Sequence, residues 1–319
     1  MPDQTILMIL TVTSWRYKMA VLENGIWYAN KSLDALTHED TFTNEILPQA
    51  GRYHLYVSGA CPFAHRPWLV IKSLGLDDAI SVSSVAAVRD DNGWAFSSES
   101  PDPVNHEAWL RSLYVRTASD FTGRVSVPVL WDRQEEKIVC NDSAKLAAAL
   151  ATDWKSLARN ATELLPASFA SEIGEMNIWL HTNINRRVYQ VGFAASQEDY
   201  DREIAALFDA LETLDKRLTT TLYLFGDELS LSDLFLFPSL VRFETVYAVH
   251  FRANIRPLQS FEALYRYMLN LLTRQNFRQT LNMHHIHQHY YLSHRNINPA
   301  GIIPAGPRPV WMKNLGLIT

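Results

Sequence analysis

Cysteine is almost absent: the 319 residues hold two, Cys61 and Cys140. A pair in so long a chain makes no disulfide framework, and a reducing, cytoplasmic setting suits it best. Charge of one sign is also lacking, with 29 Lys and Arg against 34 Asp and Glu, a formal net charge of −5. That balance leaves no electrostatic footprint for nucleic acid. Long apolar runs are missing too. Nothing approaches the ~18–20 apolar residues that cross a bilayer, so no membrane partner is expected. The apolar stretch TILMILTV at 5–12 is short and has neither a basic leader nor a small-residue cleavage site, which argues against a signal peptide. No repeat or low-complexity segment stands out.

What is present suggests about two domains, at ~150 residues each. Nine tryptophans and thirteen tyrosines suit aromatic-rich pockets, or simply large cores. Residues 1–50 read as an N-terminal extension and lead-in. Within them 1–18 look peripheral, because Met19 followed by AVLENGIWYANKS reads like a fresh start. From 51 to 155 the pattern is mixed α/β. RYHLYVSG (52–59) and AISVSSVAAV (79–88) are strand-like, and VSVPVLWD (125–132) with KIVCN (137–141) suggests a hairpin. PFAHRPWLVIKSLGL (62–76) predicts a helix opened by Pro62 and ended near Gly75, and DSAKLAAALA (142–151) predicts another. Strand, helix, strand, long insertion, strand, strand, helix is the order of a thioredoxin-like domain. From 165 to 295 apolar residues recur every three or four positions, which predicts an all-α domain. There Ser230-x-x-Asp233 resembles a capping box. Residues 296–319 form a Pro/Gly-rich tail.

The lone Cys61 stands where a strand ends and a proline-started helix begins, the place of the helix N-cap. Free N–H groups and the positive end of the helix dipole favour thiolate there, so a depressed pKa and a nucleophilic sulfur are expected. His65 and Arg66 add positive potential. A small buried hydrophobe is the alternative use of a cysteine, and Cys140 within the apolar KIVCN fits that alternative. Pro67, five residues past Pro62, removes a helical hydrogen bond at ~3 kcal/mol, so a kink or opening is expected there. Val127-Pro128 lies where thioredoxin-like domains carry a cis proline whose preceding backbone pairs with a bound thiol peptide. Asn141, Asp142 and Ser143 can cap a helix. The same helix start can hold a ligand carboxylate while an acidic side chain takes an ammonium, and the γ-glutamyl end of glutathione offers both.

Together these stretches resemble the glutathionyl-hydroquinone reductases, the Xi class of glutathione transferases. The resemblance rests on RYHLYVSGACPFAHR, NGWAF, FTGRVSVPVLWD, VYQVGFAASQEDYD, LVRFETVYAVHF and HYYLSHRNINPAGIIPAGP, spread from about 52 to 307. It implies an α/β thioredoxin-like N-terminal domain, an all-α C-terminal domain and a homodimer. It implies reductive removal of glutathione from aromatic hydroquinone conjugates, with glutathione as co-substrate and no metal. By this resemblance Cys61 is the nucleophile, and Trp94, Arg124 and Val127 hold glutathione, Val127 through its backbone. Asp142 and Ser143 take its γ-glutamyl end. Tyr189 and Tyr290 face the aromatic moiety, where a phenol can donate a proton to the leaving ring. Tyr291 is the neighbouring alternative.

The chain departs from the family pattern at several places. Phe63 stands where tryptophan is usual, Pro67 where threonine is, and Asp142 where glutamate is. Arg186 and Arg187 replace an Asn-Gly and add positive charge near the substrate entrance, which suits a different or more acidic substrate. Two other functions use the same features: an omega-like thioltransferase or dehydroascorbate reductase, and a non-catalytic glutathione-fold binding protein. In MHHIHQHYYLSH, His285 and His289 are four apart, but no acidic residue completes an H-E-x-x-H zinc motif.

Overall fold

The computed structural model describes residues 18–32, 36 and 38–317. The peripheral extension expected at 1–18 lies outside them, except for Lys18. That residue already belongs to a strand, so a chain started at Met19 would clip it. β1 (Lys18–Glu23) and β2 (Ile26–Ser32) form an antiparallel hairpin. Its turn is Asn24-Gly25, with φ of 48° and 73°. Asn-Gly is the preferred pair for a tight hairpin because both residues must take positive φ. Leu22 exchanges backbone hydrogen bonds with Gly123, at 2.9 and 2.8 Å. The hairpin therefore braces the segment that leads to Val127.

A four-stranded sheet follows, in the order β4-β3-β5-β6. Its strands are β3 (Tyr53–Val57), β4 (Ile80–Ser84), β5 (Val129–Asp132) and β6 (Lys137–Cys140). β3 runs parallel to β4 and antiparallel to β5, and β5 is antiparallel to β6. Every residue of β3 is buried, because helices cover one face and the insertion loop the other. α1 (Pro62–Leu74) crosses from β3 to β4 and ends at Gly75, whose φ of 67° is the left-handed C-cap that glycine adopts freely. It continues through Pro67, so the expected kink does not divide it. α2 (Leu110–Thr117) sits inside the insertion and went unpredicted. It is eight residues long and its N-cap, Trp109, supplies no side-chain cap. α3 (Ser143–Thr152) closes the unit against α1.

The rest is helical: α4 (Ala170–Leu180), α5 (Arg187–Gly192), α6 (Gln197–Arg217), α7 (Leu231–Arg242), α8 (Glu262–Thr273), α9 (Gln275–Arg278), α10 (Met283–Ser293) and α11 (Val310–Asn314). Ser230 and Asp233 form the capping box that starts α7. All twelve residues of α7 are buried, and it packs on α1 and α4. Two π-helical turns interrupt the layer, at His181–Asn185 and Phe243–Tyr247. Such turns re-aim the side chains that follow them and are frequent at functional sites.

Burial holds several histidines neutral. His54 and His250 are pushed down to about 4 and His289 to about 3, each mainly by burial. His54 uses both ring nitrogens on Ser81 and Ser83 of β4, at 2.7 and 2.8 Å. Unfolded histidine titrates near ~6.5, so between that pH and 4 the unfolded chain binds more protons than the folded one. Stability therefore falls as pH drops through this window. The urea midpoint is expected to decrease continuously from pH 7 to pH 5, and a flat profile would contradict neutral burial of these rings.

Candidate active site

The site begins where β3 delivers the chain to α1. Cys61 is the N-cap of α1, in extended conformation, and its Sγ accepts from the Ala64 N–H at 3.4 Å. Pro62 occupies the first helical position, where a missing N–H costs nothing. The Cys61 N–H donates to the Ser58 carbonyl at 3.0 Å, and Sγ lies 3.8 Å from the Val127 carbonyl. Cys61 is half-buried and Cys140 buried, and both are free thiols.

The loop before the cysteine is clamped by Arg242 at the end of α7. Its Nε donates to the Ala60 carbonyl at 2.9 Å, Nη2 to the Gly59 carbonyl at 3.3 Å and Nη1 to the Pro238 carbonyl at 2.7 Å. Nη1 also reaches His65 Nδ1 at 3.3 Å. A guanidinium only donates, so Nδ1 accepts and the His65 proton sits on Nε2, 2.6 Å from Thr280 Oγ1. Arg66, 2% exposed, donates to Asn185 Oδ1 at 2.6 Å and packs on Phe63 and Phe235. Among the described residues neither guanidinium forms an ion pair with a carboxylate, although the Asp142 charge acts on Arg66, and both place positive charge near the sulfur.

The expected depression of the Cys61 pKa is not found. Burial pushes the thiol up. The N–H groups of Ala64 and Phe63 and the charges of Arg242 and Arg66 pull it down without cancelling that effect. Desolvation of the thiolate is the largest of these effects and outweighs the helix terminus.

On one side lie the residues expected to hold glutathione. The Val127-Pro128 peptide is cis. Trp94 is 5% exposed and stacks on His289, with ring centroids 4.9 Å apart. Asp142 is the N-cap of α3, and its Oδ1 accepts from the Ala144 and Lys145 N–H groups at 2.8 and 2.9 Å. Ser143 Oγ accepts from Arg66 Nη1 at 3.5 Å. Arg124 stands apart from this set. It is exposed and ion-paired to Glu39 through Nε at 2.5 Å and Nη2 at 3.1 Å.

On the other side is an aromatic wall. The Tyr189 and Tyr290 hydroxyls are 2.6 Å apart, and Tyr247 adds a third hydroxyl 3.3 Å from that of Tyr290. Burial pushes all three phenols above their ordinary value, so they are protonated donors at neutral pH. Tyr290 is 1% exposed, whereas Tyr189 is partly exposed. Phe63 stacks on Tyr189 at 6.1 Å and meets His181 edge-on at 5.8 Å. Tyr291 turns the other way and donates to the Thr245 carbonyl at 2.7 Å, which leaves Tyr290 as the residue of this wall. Phe251 lies parallel to Tyr247 at 5.6 Å. A Cβ at Gly192 would come within 2.3 Å of the Phe251 ring, so only glycine admits this approach.

Tyr247, Arg242 and the wall role of Phe63 escape sequence reasoning. The one local signal was Arg242 itself, a cation flanked by Val241 and Phe243 within a largely apolar run. Among the described residues no group of three or more His, Cys, Asp or Glu is placed to hold a metal.

Sheet, helical layer and N-cap cysteine together define a glutathione transferase. The N-terminal domain family of glutathione S-transferase matches residues 60–153, and the C-terminal domain family matches 197–269. Glutathionyl-hydroquinone reductase YqjG of Escherichia coli is 38% identical over 271 residues, 84% of this chain and 83% of that protein. The Xi class transferase of Natrialba magadii superposes with a TM-score of 0.88 at 37% identity, covering 92% of this chain and 96% of that one. The glutathione-bound structure of YqjG superposes with a TM-score of 0.83 at 34% identity, covering 91% and 96%. The chain belongs to the glutathionyl-hydroquinone reductases, the Xi class of glutathione transferases.

Proposed function

We propose that this protein reduces glutathionyl-hydroquinones with glutathione, through a mixed disulfide on Cys61. The observation that carries the reading is Cys61 at the start of α1, between a cis-proline segment and a wall of three phenols. The Cys61 thiolate attacks the glutathionyl sulfur of the conjugate. An S–S bond forms and the aryl C–S bond breaks. The electron pair goes to the ring carbon, which takes a proton, and the hydroquinone leaves. A second glutathione thiolate attacks the glutathionyl sulfur of the mixed disulfide, releasing oxidised glutathione and the Cys61 thiolate. Over the cycle one thioether-bound glutathione and one glutathione thiol end as one disulfide, and the thiol proton and the electron pair of the aryl C–S bond end on the ring carbon.

Tyr189, the most accessible phenol, is the proton donor in this reading, with Tyr290 and Tyr247 holding its hydroxyl. Val127 pairs through its backbone with the glutathione cysteine, and Trp94 covers it. Ser143 and the α3 N-terminus take the γ-glutamyl carboxylate. Both capping bonds of Asp142 fall on Oδ1, which leaves Oδ2 for the ammonium. Arg124 takes part by exchanging Glu39 for a glutathione carboxylate, a small cost because exposed pairs contribute about 0–1 kcal/mol. A homodimer in a cytoplasmic, reducing compartment completes the proposal. It is supported by the family resemblance and by the two unpaired thiols. No helix among the described residues is long and apolar enough to cross a membrane.

The test compares turnover of glutathionyl-menadiol, hydroxyethyl disulfide and dehydroascorbate. The expected order puts the hydroquinone conjugate first by at least tenfold in kcat/KM. An aromatic wall has nothing to offer dehydroascorbate, so the reverse order would transfer the protein to omega-like chemistry.

A further inference from the structure

One charged group beside the substrate wall is unused by the mechanism. Arg187 forms an ion pair with Glu203 at 2.7 Å and is thereby neutralised. Its neighbour Arg186 is partly exposed, and its side chain makes no hydrogen bond or ion pair among the described residues. Arg186 sits at the junction of the π turn and α5, where its N–H donates to the His181 carbonyl and its carbonyl accepts from the Tyr189 N–H. In the π turn a residue and the fifth after it share a face, and in an α-helix a residue and the third after it do. His181, Arg186 and Tyr189 therefore line one face, and Phe63 touches the rings of both His181 and Tyr189. The positive charge of Arg186 adds to burial and Arg66 in holding His181 down to about 4. The acid whose charge opposes them there, Asp142, caps α3 through Oδ1 and in the reading above gives Oδ2 to the glutathione ammonium.

We propose that Arg186 is a specificity-determining residue, selecting hydroquinone conjugates whose ring carries an ionised carboxylate. The inference rests on the reductase reading above. An apolar wall of Phe63 and Tyr189 accepts the ring. An unpaired guanidinium at its edge then gives an anionic ring substituent the partner that the protein itself does not supply. Both substrate types carry the same glutathione, so the discrimination comes from the ring alone.

The experiment measures kcat/KM for the glutathione conjugate of unsubstituted hydroquinone and for its ring-carboxylated counterpart. The wild type, Arg186→Gln, Arg186→Lys and Arg187→Gln are compared at low and high salt. The wild type is expected to favour the carboxylated conjugate by about 3- to 10-fold, the scale of one partly exposed ion pair. Arg186→Gln should bring the ratio near one by lowering the carboxylated rate. Arg186→Lys should restore most of the preference, Arg187→Gln should keep it, and 0.5 M salt should shrink it. A wild-type ratio of one, or equal losses on both conjugates in Arg186→Gln, would overturn the assignment. Failure of the wild type to turn over either conjugate would instead sink the reductase reading.

Discussion

Cys61→Ser is expected to lose turnover of glutathionyl-hydroquinones by roughly 10³- to 10⁶-fold, the scale seen when a covalent nucleophile is removed. A serine hydroxyl keeps the cap on the Ala64 N–H but forms no mixed disulfide. Glutathione affinity and melting temperature should change little, since the Val127, Trp94 and Ser143 side of the site is untouched. Mass spectrometry after treatment with oxidised glutathione should place the adduct on Cys61 of the wild type and show none on Cys140, which is buried and whose thiol is raised to about 11. An adduct on Cys140 alone, or a Cys61→Ser protein with near-normal rate, would reject the nucleophile. The pH dependence has a definite sign. Because burial raises the Cys61 thiol, its alkylation by iodoacetamide in the ligand-free protein should still climb between pH 8 and 9. A plateau below pH 8 would show that the helix terminus and the two guanidiniums outweigh burial.

Tyr189→Phe should lower kcat by about 10²- to 10⁴-fold, the usual worth of a general acid. The ring, and with it the stacking on Phe63, is retained. Glutathione binding should persist, because in the proposed mechanism this hydroxyl serves the leaving ring and not glutathione. Tyr290→Phe should cost less in rate and more in stability. Its hydroxyl is buried and serves both Tyr189 and Tyr247, so its removal leaves neighbouring hydroxyls with a lost partner. Tyr247→Phe removes the 3.3 Å contact with Tyr290 and the hydroxyl's interaction with Tyr189, while the 2.6 Å Tyr189–Tyr290 bond stays, and should be the mildest. Rates and melting temperatures on the same three variants separate the roles. If Tyr189→Phe lost stability but kept its rate, the phenol would be a packing group, and proton donation would have to come from elsewhere.

Much of this arrangement is written locally. Aromatic and β-branched residues mark β3 and β5, and β-branched residues alternating with serine mark β4. Pro62 and Gly75 bracket α1, and Ser230 with Asp233 opens α7. Each signal acts within a few residues, through dihedral preference or a cap, and so it reads directly. The Asn24-Gly25 turn belongs to the same class, and its hairpin was legible although the lead-in reading passed over it. α2 was not legible: it is short and uncapped, and it holds its shape by packing.

The chain by itself determined that a lone cysteine would head a helix after a buried strand, and which motifs would surround it. Tertiary structure decided what that cysteine experiences. Arg242 reaches the carbonyls of Gly59 and Ala60 across more than 180 residues, and Tyr189 and Tyr290 meet across 101. It decided that Tyr290 and not Tyr291 joins the wall: the two point about 100° apart on α10, and the packing brings Tyr290 to Tyr189 and Tyr247 while Tyr291 donates to the Thr245 carbonyl. It also decided the state of the Cys61 thiol. A helix terminus is a local feature, but desolvation is set by everything packed around the sulfur, and only the assembled fold specifies that.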